Sequence, residues 1–161
     1  MSEPVRIVIP GRAAPYQKKT ATWHSKDGRS GTLAYSAGTY GKWKDYARML
    51  AAQTFGSRAP FEGPVEVRII SYREIPASFS AKKRRAAIAG LLVPVTVPDL
   101  DNGMKASVDS CLTGIVIRDD KLIVRAVLEK WYSERPRVEI EVAEWLPPSN
   151  APLFDTPGKE D

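Results

Sequence analysis

The chain has one cysteine and one histidine in 161 residues. Cys111 alone cannot close an intrachain disulfide, and with His24 as the only imidazole no soft ligand set for zinc can form. The same scarcity removes any nucleophilic triad built around a histidine other than His24. No apolar run approaches the roughly 18 residues that a membrane span needs. Met1–Pro10 also lacks the apolar core of a secretory signal, so a soluble, cytoplasmic protein with no membrane partner is expected. No internal repeat is visible. Hydrophobic residues at 43% and charged residues at 27% give an ordinary globular balance, and the length suits one domain.

With histidine and cysteine nearly absent, the chemistry falls to carboxylates and cations, and these are unevenly distributed. Residues 1–98 hold 16 Lys and Arg against 6 Asp and Glu, whereas residues 99–161 hold 8 against 13. A basic first part joined to an acidic second part points to a phosphate-contacting surface beside a carboxylate cluster; solvated faces that happen to segregate are the competing reading.

Val5–Ile9 alternates as a strand does and is closed by Pro10-Gly11. Residues 12–38 are rich in Gly, Ser, Thr and Lys without a sustained period, and read as a long basic loop. It carries Arg12, Lys18, Lys19, Lys26 and Arg29 among Tyr16, Trp23 and Tyr35, a mixture suited to phosphate neutralisation and base stacking. Trp43, Tyr46, Ala47 and Leu50 have helical spacing and predict a buried face within a helix over Tyr40–Thr54, stopped by Gly56. Val65–Tyr72 predicts a strand. Ser80 caps an expected helix over Ala81–Ala89 that ends at Gly90. Its run Lys82, Lys83, Arg84 and Arg85 near the helix start opposes the macrodipole, so phosphate contact is the preferred explanation over a solvated face. Val93–Pro98 reads as an extended edge or lead-in. Met104, Val108, Cys111 and Leu112 mark the buried side of a helix over Asp101–Leu112, which makes Cys111 a core residue. Short and long strands follow at Ile115–Ile117, Leu122–Tyr132 and Val138–Val142. The Pro-rich end, 146–161, reads as a disordered tail after a domain spanning 1–145.

The informative stretch is Pro98-Asp99-Leu100-Asp101-Asn102, followed by Lys105 and Asp109 on the helix and by Asp119-Asp120 in a turn. Asp99 and Asp101 at i, i+2 of an extended segment can project to one side. A D-x-D pair also occurs as a simple helix cap. Clustered carboxylates are costly, since two charges about 4 Å apart repel by roughly 4 kcal/mol at an effective dielectric near 20. A hard divalent cation such as Mg²⁺ relieves that cost with oxygen ligands alone. Bound beside a phosphodiester, such ions activate water and stabilise the leaving oxygen, and Lys105 can offset developing charge.

These residues, with Gly114-Ile115-Val116, Tyr132 to Ile140 and the early Ile9-Pro10-Gly11, resemble the RusA family of Holliday junction resolvases, small endodeoxyribonucleases typical of phages and prophages. The resemblance runs from about Val5 to Val142. It implies an α+β fold with a mixed sheet and about three helices, a homodimer, and Mg²⁺-dependent (alternatively Mn²⁺-dependent) paired nicking of branched DNA in recombination and repair. It places the metal-binding catalytic aspartates on Asp99, Asp101 and Asp120 and the essential lysine on Lys105. Arg12, Lys18, Lys19 and the Lys82–Arg85 run are the expected DNA contacts. A flap- or fork-selective nuclease, or a branched-DNA-binding protein without chemistry, are the rival readings.

Overall fold

The computed structural model describes residues 3–36 and 38–146. Four strands form one mixed sheet in the order β1-β6-β4-β5: β1 (Val5–Pro10), β4 (Val65–Glu74), β5 (Ile123–Ser133) and β6 (Arg137–Glu144). β6 runs antiparallel to both β1 and β4, while β4 and β5 are parallel. A parallel pair needs a long crossover, and the chain between β4 and β5 supplies it with two short helices, α2 (Ala81–Ile88) and α3 (Leu100–Ser107). A longer helix, α1 (Gly38–Phe55), precedes β4. The protein is thus a single α+β domain. No helix among the described residues is long and apolar enough to cross a membrane.

One sheet face is the core. Val5, Ile7 and Ile9 of β1, Val65, Val67 and Ile69 of β4, and Val138, Ile140 and Val142 of β6 lie under it, and period-2 alternation puts them all on one side. Tyr40, Trp43, Ala47, Ala51 and Phe55 of α1 cover this layer, together with Ala106, Val108, Cys111 and Leu112. Burying each large aliphatic side chain contributes about 1.5–3 kcal/mol before entropy is counted. Cys111 is fully buried, and burial pushes its thiol up to about 12, so it is a packing residue, as its position on the apolar stripe predicts.

The opposite sheet face is polar. Arg6 bridges Glu139 at 2.8 Å and Glu141 at 3.8 Å, Arg137 bridges Glu139 at 2.7 Å, Arg68 bridges Glu129 at 2.8 Å, and Arg125 lies 3.7 Å from Glu66.

Several expectations are corrected. The long loop over 12–38 contains a two-stranded hairpin, β2 (Lys19–His24) and β3 (Ser30–Tyr35), that forms a sheet of its own. It escapes notice because neither face is buried, so no apolar period marks it. Ile115–Ile117 is a turn and not a strand: the Val116 and Ile117 N–H groups both donate to the Leu112 carbonyl. Of the two readings of Val93–Pro98, the edge strand is excluded, since the segment joins no strand, and the lead-in to α3 stands. The expected helix over Asp101–Leu112 is α-helical only to Ser107 and continues as a π-helical turn over Val108–Leu112. The wider turn brings Val108, Ser110, Cys111 and Leu112 all inward, more than one α-helical stripe can bury. Tyr46 is 41% exposed and stands outside the core that Trp43 and Ala47 join. The tail expected over 146–161 lies, from residue 147 on, outside the described residues.

Ile140 is fully buried at the centre of this packing. Ile140→Ala is expected to lower the unfolding free energy by about 2–5 kcal/mol, measured by urea denaturation.

Candidate active site

α3 turns two faces to different tasks. Ala106 and Ser107 are buried, while Asp101 and Lys105 point to solvent from its first and last turns. Asp99 occupies the N-cap position with extended backbone, yet its carboxylate makes no capping hydrogen bond, so the helix start does not account for it. Asp101 in the first turn and Lys105 in the last each complement the helix dipole.

Asn102 ties a distant segment to this helix. Its Oδ1 accepts from the Tyr16 N–H at 2.8 Å, and its Nδ2 donates to the Tyr16 carbonyl at 3.4 Å, a pairing across 86 residues. The segment Ala13–Lys18 is thereby strapped over α3. The strap sets the Tyr16 ring edge-on to Tyr40 at 5.3 Å, with Lys18 Nζ 5.7 Å and Lys105 Nζ 6.0 Å from its centroid. Both lysines are thus held at one mouth.

That mouth is a cleft of about 600 Å³ whose walls include Lys18, Lys105, Asp109, Asp119 and Asp120. Asp119 and Asp120 reach it because β5 starts beside the end of α3. Asp119 caps the single 3₁₀ turn Asp120–Leu122: its Oδ1 accepts from the Lys121 N–H at 3.1 Å, and its Oδ2 lies 3.3 Å from Lys121 Nζ. Those hydrogen bonds from Lys121 hold the Asp119 carboxyl below the usual carboxylate range. Of the acidic pair, Asp119 is therefore occupied by the turn.

Asp109 also faces the cleft but is committed to the scaffold. Its Oδ2 accepts from Lys44 Nζ at 2.9 Å and from the Tyr40 hydroxyl at 3.3 Å. Burial pushes its carboxyl up, but the Lys44 hydrogen bond and charge outweigh this and hold it below the ordinary range. Burial, reinforced by the adjacent Asp109 charge, pushes the Tyr40 phenol up to about 12.

The structure therefore brings Lys105, Asp119 and Asp120 to one cleft, with Lys18 beside them. Asp99 lines a smaller adjoining hollow that shares Met104 as a wall with the cleft, and Asp101 lines neither. Among the described residues, no group of three or more Asp, Glu, His or Cys is close enough to hold a metal ion. The available donors near α3 are all carboxylate oxygens, which suit a hard cation such as Mg²⁺ or Mn²⁺ and not a soft one. Of the expected DNA contacts, Lys18 lies at the cleft and Lys19 opens β2. Arg12 stands beside Arg73 and the Pro94–Val97 segment. Lys82–Arg85 are exposed on α2, where Arg84 pairs with Glu134 at 3.1 Å. α2 packs at the far end of β5, against which Gly90 meets Trp131, whereas the cleft opens at its start. Between the cleft wall at Ile123–Ala126 and Trp131 the strand rises by about 17–26 Å.

Tyr16 and Asn102 are the positions that sequence reasoning passed over as site-builders. Asn102 stood in the motif, but nothing local reveals that its amide reaches residue 16.

The fold and this cleft define a small α+β domain with a carboxylate-and-lysine site. Residues 10–143 match the family model described as endodeoxyribonuclease RusA, and the chain belongs to the RusA endodeoxyribonuclease family. It is also 38% identical over 104 residues to the uncharacterized protein YqaN of Bacillus subtilis (strain 168), covering 63% of this chain and 72% of that one.

The Asp109–Lys44 pair has a pH signature. With a depressed folded-state pKa, Asp109 contributes stability that is complete above the ordinary carboxylate range and is lost as pH falls below about 4. Asp109→Asn is expected to be less stable than the parent at neutral pH, with the gap closing below about pH 4 in urea titrations at stepped pH.

Proposed function

We propose that this protein resolves four-way DNA junctions by paired, symmetric phosphodiester nicks that depend on Mg²⁺, with Mn²⁺ able to substitute. The observation that carries the reading is the cleft in which Lys105 of α3 meets Asp119 and Asp120 from the start of β5, inside a chain of this nuclease family.

Asp99, Asp101 and Asp120, which this structure does not bring within reach of one ion, would have to draw together to hold the metal. Asp99 makes no cap, Asp101 faces solvent, and Asp120 is the member of its pair that the turn leaves available. A metal bound there would supply Lewis-acid polarisation of the phosphate and a more acidic water. Lys105 holds a fixed positive charge at the same mouth, where it offsets charge gathering on the phosphoryl oxygens. Lys18, strapped beside it by Asn102, positions the adjacent backbone phosphate. Arg12, Lys19 and the Lys82–Arg85 run contact flanking backbone. The separation of α2 from the cleft fits a role on a more distant stretch of the same arm. Two symmetric nicks need two sites related by a twofold axis, so the working unit is a homodimer acting in the cytoplasm on recombination or repair intermediates of phage or prophage type.

The test is cleavage of a labelled synthetic four-way junction with Mg²⁺, beside flap and linear substrates. Paired nicks at symmetric positions support the reading; nicks confined to flaps, or binding without cleavage, overturn it. Asp120→Asn and Asp101→Asn are each expected to slow cutting by about 100-fold or more while junction affinity measured by gel shift persists. Asp119→Asn, which keeps a capping side chain, should cut within a few-fold of the parent.

A further inference from the structure

Among the described residues, the β2–β3 hairpin is an element that the core does not use. Every residue of β2 is exposed, as is every residue of β3 except Gly31. Two strands alone are marginally stable in water, so a ribbon with both faces bare needs a reason to persist. Its register supplies one. Lys19 stands opposite Tyr35, Ala21 opposite Leu33 and Trp23 opposite Gly31, so these six share a face. Thr20, Thr22 and His24, opposite Ala34, Thr32 and Ser30, form the other. The first face is aromatic and apolar, with Trp23 50%, Leu33 62% and Tyr35 43% exposed. Trp23 lies flat across the backbone of β3, and a Cβ added at Gly31 would sit 3.0 Å from the indole atoms, so the absence of a side chain at 31 is what seats the ring.

Charge identifies the occupant. The ribbon and its lead-in carry Lys18, Lys19, Lys26 and Arg29 against a single carboxylate, Asp27, which Arg29 meets at 3.4 Å. An apolar protein surface would gain nothing from these cations, but a polyanion would. The ribbon also grows directly out of the strap, so Lys18 at the cleft and Lys19 in β2 are consecutive residues.

We infer that the Trp23–Leu33–Tyr35 face of this ribbon packs on base faces laid open where DNA strands branch, and so makes the protein prefer branched over continuous DNA. In an unbroken duplex each base face is covered by its neighbour and only edges and phosphates are offered; at a branch the stack is interrupted and flat apolar surface is available. A ribbon lying in a duplex groove would read edges with polar side chains, and the Thr20–Thr22–His24 face would suffice for that. The inference rests on the reading that the substrate is branched DNA.

The test uses the full chain in EDTA, titrated against a fluorescein-labelled four-way junction and a linear duplex of the same arm sequences. Trp23 lies outside the core, so Trp23→Ala should keep the parent's thermal midpoint. It is expected to lose junction affinity about tenfold or more, as removal of a stacking ring does, while duplex affinity changes by less than about twofold. Trp23→Phe should restore most of the loss, and Tyr35→Ala should act in the same direction as Trp23→Ala. Equal losses on both DNAs, no loss on either, or a parent without junction preference would overturn the assignment. Adding Mg²⁺ separates the two readings. A parent that binds junctions but never cuts them breaks the nuclease reading and leaves the ribbon its role. A Trp23→Ala variant with the parent's junction affinity breaks the ribbon's role and leaves the nuclease.

Discussion

The seating of α3 against the sheet governs whatever chemistry this chain performs. Eight residues of helix must bury Ala106 and Ser107 while presenting Asp101 and Lys105 to solvent, and they must start at Asp99 and end where β5 begins. The π-helical turn that follows lets Val108, Cys111 and Leu112 all reach the core, so the helix is anchored from its C-terminal end. The acidic pair at Asp119-Asp120 can then approach Lys105, because the turn returns the chain at once to the sheet edge. Loosening that anchor would move the lysine and one of the carboxylates relative to each other.

A second layer of positioning uses side chains that resemble catalytic ones and are not. Asp109 faces the cleft yet is tied to Lys44 and Tyr40, and thereby fixes the π turn to α1. Asp119 faces it too and spends its oxygens on Lys121. Asn102, between the two aspartates and the lysine in sequence, gives both of its amide atoms to the Tyr16 backbone. The polar residues with these protein partners build the site, while Lys105 and Asp120 at the mouth, and Asp99 and Asp101 outside it, are exposed.

Local pattern revealed much of this and missed the rest for identifiable reasons. Strands β1, β4 and β6 and helix α1 each bury one face, so their apolar periods are printed in the chain, while β5, nowhere fully buried, is marked by its β-branched and aromatic content. The D-L-D-N stretch, Lys105 and the acidic pair are legible as chemistry because few other residue types could supply it here. The ribbon was invisible to that method, since a hairpin with no buried face carries no period; its one local signal was Asp27-Gly28, a dipeptide favoured in tight hairpin turns, with Gly28 at a φ of +84°. The turn at Ile115–Ile117 misled because apolar content alone cannot separate a buried turn from a buried strand. The Tyr16–Asn102 and Lys44–Asp109 pairs span 86 and 65 residues, and no window along the chain contains both partners.

The polar face of the sheet has a consequence for how the molecule meets its substrate. Four arginines, Arg6, Arg68, Arg125 and Arg137, share it with four glutamates, Glu66, Glu129, Glu139 and Glu141, at ion-pairing distances. Their fields cancel within a Debye length, so that side is electrically quiet although it is densely charged. Among the described residues, Lys18, Lys19 and Lys26, on the strap and ribbon, form no such ion pair. Seen from a distance by a polyanion, the protein is a lopsided charge with one silent flank, and long-range attraction alone would turn that flank away before any contact is made.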